Sequence, residues 1–241
     1  MKILVFGIHP DDIELGCGGT VARCVGLGID VALVDLTHGE SSSNGTPEGR
    51  EREAFEAARI LGCDTRENLG LPDTGLVCED PDQQSAVTAT IRGHRPDLVI
   101  LPLKDDPHPD HASGGALIER ALYLAGIHGY RTVGCEHSCV VRNGLVYPGR
   151  RELVPDVVVD VSGTFSTKMD AIRAHRSQFE AFEGAKETPL NRPGFLDAIQ
   201  ARAAAAGYSI GTRYGEVFKT LRPIGLRDFS VFLPLDASGE K

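Results

Sequence analysis

No run of 18 apolar residues occurs in the 241-residue chain, so no segment is long enough to cross a bilayer core as a helix. The opening MKILVFGIHP holds one lysine and a short apolar run. It lacks a long hydrophobic region and a small-residue cleavage site, and reads as a first β-strand rather than a secretory signal. Basic side chains are outnumbered, 25 against 34 acidic, for a formal charge of −9. Such a surface repels phosphate backbones and argues against a nucleic-acid partner, although a few placed arginines still admit a small anion. The six cysteines (Cys17, Cys24, Cys63, Cys78, Cys135, Cys139) form no CxxC pair, and Cys135 and Cys139 have no second pair with which to build a zinc knuckle. Reduced thiols in a cytoplasmic protein are expected. Internal repeats and low-complexity tracts are also missing.

What is present is enough apolar material, 41% of residues, to fill a core without staples. The first two-thirds alternates between apolar runs and helical patterns. Strands are expected at 2–7, 31–36, 65–69 and 98–103, and helices at 13–27, 48–61, 82–93 and 111–124. Runs that are apolar throughout, separated by helices, predict an α/β fold: a Rossmann-like, mostly parallel sheet with helices on both faces. The last third changes character. Asn143-Gly144 between apolar stretches signals a hairpin turn, Asp156–Val161 a strand, and 164–182 and 197–206 helices. The expectation is one domain over 1–241, with a core in 1–130 and a hairpin and helix extension in 131–241.

Two short motifs carry the chemistry. His9-Pro10-Asp11-Asp12 follows the first strand, and His108-Pro109-Asp110-His111 follows the fourth. If these strands are neighbours, both loops lie over the carboxyl edge of the sheet and meet there. Adjacent carboxylates repel, and a cation offsets that repulsion. His9 and Asp12 supply two ligands from one turn and His111 a third, leaving positions open for water and substrate. Asp11 is then placed as general base and His108 as the free acid. The plain alternative is helix capping by Asp11, Asp12 and Asp110. Gly16-Cys17-Gly18-Gly19 comes too late after the strand for a dinucleotide loop, and is read as close helix–sheet packing. The polar Ser41–Gly49 loop faces the same crevice, with Ser43, Asn44 and Arg50 as candidate substrate contacts. Arg92 is read as surface charge, and His175 as a residue on a helix face able to reach the site.

HPDD followed by GGT, with HPDH about a hundred residues later, resembles the LmbE/PIG-L family of zinc-dependent N-acetylglucosamine deacetylases. The stretches DLTHGESSSNGTPEGREREA and NLGLPDTGL, with Ser177–Phe179 and Thr188–Leu190, resemble the bacillithiol-pathway branch, which deacetylates N-acetyl-α-D-glucosaminyl L-malate. The resemblance implies a Rossmann-like fold and one zinc ion per chain held by His9, Asp12 and His111. It further implies Asp11 as general base, His108 as oxyanion stabiliser and proton donor to the amine, Asp110 as the group orienting His108, and Arg50 as a substrate contact. It also implies a small amino-sugar conjugate as substrate and a homo-oligomer. Inositol and chitooligosaccharide conjugates are alternative substrates. From other classes, the donor set suits a non-haem iron oxygenase, and the fold suits a non-catalytic sugar-binding domain.

Overall fold

A computed structural model describes residues 1–226 and 228. The expected domain over 1–241 therefore runs past the described residues. The chain alternates β1 (Lys2–Gly7), α1 (Asp12–Gly26), β2 (Asp30–Thr37), α2 (Pro47–Leu61), β3 (Thr65–Leu71), α3 (Pro81–His94), β4 (Leu98–Pro102) and α4 (Pro109–Ala125). It continues with β5 (Asn143–Tyr147), β6 (Val157–Asp160), α5 (Phe165–Ala174), α6 (Arg176–Phe179), α7 (Phe195–Ser209) and β7 (Gly215–Thr220). Three helices open on proline, where the missing N–H costs nothing. Their caps are the Thr46 hydroxyl, the Asp80 carboxylate and the His108 ring. Gly62 closes α2 at φ 82°, a left-handed position natural to glycine.

The strands form one seven-stranded sheet in the order β3-β2-β1-β4-β5-β7-β6. The first five pair in parallel, and β7 runs antiparallel to both β5 and β6. Alternate residues of each central strand feed opposite faces. Leu4, Phe6, Val34 and Leu36 pack with Val87 and Ile91 of α3 and Leu117 and Ile118 of α4. Ile3, Val5, Val31 and Leu33 pack with Ile13 and Val21 of α1, Ala57 and Leu61 of α2, and Ala171 of α5. Double coverage is why these strands read as continuous apolar runs. The strand order reverses between β1 and β4, the switch point at which open α/β sheets place their ligands.

Three local expectations are corrected. Asn143-Gly144 is not a hairpin turn. It begins β5, which pairs in parallel with β4, and the antiparallel pair of the C-terminal part is β6 with β7. Gly144 serves packing instead, since a Cβ there would lie 2.5 Å from Leu221 Cδ1. The helix expected over 164–182 breaks at His175, because Glu53 of α2 caps a new turn by accepting Ser177 N at 2.8 Å and Ser177 Oγ at 2.6 Å. Arg92 is not surface charge but 1% exposed, donating to the carbonyls of Leu124, Ala125, Ile127, Tyr130 and Cys135 in and after the last turn of α4.

Helix α1 is kinked at Cys17 (φ −147°, ψ 20°). The freed groups are satisfied by residues distant in sequence. Glu216 of β7 accepts Gly19 N at 3.0 Å and Thr20 N at 2.6 Å, while Lys168 donates to Leu15 O at 3.0 Å and to Glu216 at 2.5 Å. The glycines of this stretch do permit close packing, as expected. A Cβ on Gly16 would sit 2.2 Å from Tyr147 Cδ2, and one on Gly19 would sit 2.9 Å from Val161 Cβ. Gly16→Ala is therefore expected to cost about 1–3 kcal/mol by overpacking. A denaturant melt checks this. An unchanged midpoint would mean that Tyr147 swings aside freely, against its buried hydroxyl bond to Phe6 O at 2.8 Å.

Candidate metal centre and active site

The loops after β1, β2, β3, β4 and β5 converge on one cavity of about 560 Å³ at the carboxyl edge of the sheet. His9, Asp11, Asp12, Ser43, Arg50, His108 and His111 all line it. The two motifs do meet. The His9 and His111 ring centroids are 5.4 Å apart, and His108 lies 5.1 and 5.0 Å from them.

Backbone geometry aims the first motif. Asp11 stands at the N-terminal boundary of α1 with φ 150° and makes no capping hydrogen bond. Positive φ is costly for a residue with a Cβ, and such strain persists where the surroundings enforce it. Asp12 turns its Oδ2 back to accept Ile8 N at 3.1 Å and His9 N at 2.8 Å. Neither carboxylate caps the helix side-on, so both remain for chemistry. His9 Nε2 donates to Asp73 Oδ1 at 3.0 Å. That bond fixes the tautomer and leaves Nδ1, 3.7 Å from Asp12 Oδ2, as a lone-pair donor. His111 Nε2 lies 3.4 Å from the same oxygen.

These atoms fit a divalent ion. His9, Asp12 and His111 each offer a donor atom within 4.8 Å of the others. Separations of 3.4 and 3.7 Å are spanned by two bonds of about 2.0–2.1 Å meeting at one ion. Two imidazoles and one carboxylate leave coordination positions open. His9, His108 and Asp110 also lie within this range. They fit less well, because the His108 Nδ1 lone pair is taken by Asp110 N at 3.3 Å.

Charge in the site is ordered by burial and pairing. Burial works to lower the His9 pKa, but the carboxylates of Asp110, Asp12 and Asp73 outweigh it and hold the ring well above its usual value, so an ion taken up at Nδ1 would displace a proton there. Asp12 is displaced the other way: burial opposes, and His111 and His9 prevail, pulling it well below the carboxylate range. Burial raises Asp11, with Arg50 partly offsetting the shift. Arg50 sits beneath Asp11, donating to its Oδ2 at 3.3 Å, to Pro10 O at 3.1 Å and to Gly39 O at 3.1 Å. Asp11 Oδ1 has no protein hydrogen-bond partner among the described residues.

Behind these groups lies a buried ionic layer. Arg66 donates to both oxygens of Asp35 at 2.8 and 3.0 Å and to Glu14 Oε1 at 2.5 Å. His175 is fully buried 3.4 Å from Glu14 Oε2. It supports the floor of the site and does not line the cavity. Burial opposes ionisation of Glu14, yet Arg66 and His175 hold its pKa down at about 2.

Further expectations about the site change. Asp110 does not orient His108 with its carboxylate; its backbone amide does so, and the carboxylate braces Thr74 and lies 3.8 Å from His9 Nε2. Burial and then the charges of His9, His111 and Arg150 lower the His108 pKa. A neutral His108 with Nδ1 accepting carries its proton on Nε2. Asn44 is not among the residues lining the cavity. Its amide brackets Lys186, donating to the carbonyl and accepting the amide N–H, both at 2.8 Å. Sequence reasoning missed Asp73 and Thr74, which follow β3 in the stretch Pro72-Asp73-Thr74, at the same sheet edge as the two histidine motifs. It also missed Tyr147, Arg150 and Arg202.

The model of the PIG-L family, described as GlcNAc-PI de-N-acetylase, matches residues 4–122, a span containing His9, Asp11, Asp12, His108 and His111. A diacetylchitobiose deacetylase of Thermococcus kodakarensis is 32% identical over 192 residues, covering 74% of this chain and 70% of its own. A probable N-acetyl-alpha-D-glucosaminyl L-malate deacetylase 2 of Bacillus cereus is 28% identical over 193 residues, covering 74% and 84%. Among solved structures, the conserved protein TT1542 of Thermus thermophilus superposes with a TM-score of 0.84 at 38% identity, covering 95% of this chain and 98% of that one. With the fold, the donor triangle and these relatives in agreement, the chain belongs to the PIG-L family and is a hydrolytic N-deacetylase.

Proposed function

We propose that this enzyme hydrolyses the N-acetyl group of an N-acetylglucosamine conjugate, releasing acetate and the free amine, with one zinc ion held by His9, Asp12 and His111. The observation that carries the reading is the free oxygen of Asp11, set beside that donor triangle at the ends of two neighbouring strands. Zinc, when bound, acidifies a coordinated water and polarises the acetyl carbonyl. Asp11 accepts the proton of the attacking water, its burial lifting its basicity while Arg50 fixes its rotamer. His108 presents Nε2–H to the developing oxyanion. The amine departs after the proton taken by Asp11 is delivered to its nitrogen as the C–N bond breaks, which keeps the proton count balanced.

The aglycone is proposed to be L-malate, supported by the likeness of the 35–76 region to the bacillithiol branch and by the Bacillus cereus relative. A second reading, a chitobiose-type disaccharide, is favoured by the higher identity to the Thermococcus kodakarensis enzyme. We place the enzyme in the cytoplasm, a setting that suits six free cysteines. Acetate release is to be measured with metal-free enzyme before and after zinc, on malate, inositol and chitobiose conjugates and on free N-acetylglucosamine. The highest kcat/KM is expected on the malate conjugate, with activity restored by zinc. A chitobiose conjugate ranking first would favour the second reading, and zinc-independent turnover would overturn the metal assignment.

A further inference from the structure

The mouth of the cavity carries two cations with no acidic partner among the described residues. Arg150 and Arg202 both line it and are solvent-exposed, and neither has a carboxylate within ion-pair distance among the described residues. Their neighbours are committed elsewhere. Arg151, one residue along, pairs with Asp105 at 2.6 Å. Arg50, deeper in the cavity, is spent on Asp11, Pro10 and Gly39. The buried carboxylate of Asp106 takes the backbone N–H of Arg150 at 2.7 Å and of His108 at 2.9 Å, and so fixes the loop without neutralising the guanidinium. The two arginines come from distant elements, the loop after β5 and helix α7. They are joined across the rim by a long contact from Arg202 to Gly149 O at 3.5 Å. Arg150 and His108 line the same cavity and are held through their backbone N–H groups by the same Asp106 carboxylate. In a protein of net charge −9, a pair of unneutralised guanidinium groups at one opening creates a local field of the sign opposite to the surface.

We propose that Arg150 and Arg202 form a carboxylate-reading subsite that selects conjugates whose aglycone is anionic. This rests on the deacetylase reading above and assigns to these two residues the recognition of the group beyond the sugar. Guanidinium groups suit the task because their donors match the two oxygens of a carboxylate.

The test compares two N-acetylglucosamine α-glycosides of similar size, one with a carboxylate-bearing aglycone and one with a neutral aglycone. Acetate release is measured for zinc-loaded wild type, Arg150→Gln/Arg202→Gln and Arg150→Lys/Arg202→Lys, each checked for fold by circular dichroism. The readout is the ratio of kcat/KM for the anionic over the neutral glycoside, which a general loss of structure would not move. Wild type is expected to prefer the anionic glycoside by about 10-fold or more at low salt, through KM, with the preference shrinking as salt rises. The ratio is expected to fall toward 1 in the double glutamine variant and to recover in part in the double lysine variant. A wild-type ratio near 1, or one retained in the double glutamine variant, overturns the subsite while leaving the deacetylase reading intact. No acetate from either glycoside, with zinc bound, overturns the deacetylase reading and the subsite with it.

Discussion

Asp11→Asn is expected to lower kcat for acetate release by at least about 10³-fold while the divalent ion stays bound. A positioned general base contributes roughly 10²–10⁴ in rate, and 10³-fold corresponds to about 4 kcal/mol of barrier. The substitution is chosen to change that one property. Asparagine matches aspartate in size, and its carbonyl oxygen can still accept the Arg50 donor that reaches Asp11 Oδ2 at 3.3 Å. Asp11→Ala would be a poorer experiment, since it strips a buried arginine of its carboxylate and leaves room for water. Metal content by elemental analysis and turnover on the best conjugate are measured side by side. Turnover near the wild-type rate with metal bound would remove Asp11 as the base. Loss of metal along with turnover would instead assign Asp11 to the ion.

Arg66→Met is expected to cost about 3–5 kcal/mol of folding stability, a large share of the 5–15 kcal/mol typical of a domain. Arg66 is buried between Asp35 and Glu14, and without it two buried carboxylates face each other beneath the metal loop. The acid limb supplies an independent check. Glu14 has a folded pKa of about 2 against an ordinary value of 4.5, a depressed carboxylate. Its contribution is therefore fully present above pH 4.5 and lost as pH falls from there toward 2. A shift of that size is worth about 3 kcal/mol. The stability gap between wild type and Arg66→Met should narrow across that window, because a protonated Glu14 no longer needs the guanidinium. Urea melts at about pH 7 and about pH 4, above and inside the window, measure the gap. A gap of equal size at both would show that Arg66 acts by packing alone.

The candidate metal ligands were legible because each motif is local. His9 and Asp12 lie within one turn of a strand end, and His108 and His111 within another. The rule that ligands gather where strand order reverses then predicted their meeting without coordinates. The apolar runs of β1, β2 and β4 announced a doubly covered sheet for the same reason: every residue of such a strand faces one core or the other. What stayed hidden depends on contacts across the chain. Asp73 looks like an ordinary turn residue until β3 is seen two places from β1, bringing its carboxylate to His9. Asn143-Gly144 carries a turn signal, but the demand on Gly144 is the approach of Leu221, 77 positions later. Arg92 resembles any helix-surface arginine because all its partners are backbone carbonyls, which no side-chain pattern reveals. His175 was placed on the right segment but at the wrong depth, since the break that turns it inward is made by Glu53 of another helix.

The bend in α1 ties the first helix to the strand β7. Gly19 and Thr20 are held by Glu216, 197 and 196 positions away. On the ribosome, residues 9–12 emerge long before that glutamate exists. An N-terminal fragment would hold His9 and Asp12 without the strut that shapes the helix behind them, and His111 would arrive about midway through synthesis of the described residues. The helix behind His9 and Asp12 is thereby shaped by a strand far along the chain, and a chain truncated before β7 would lack that brace.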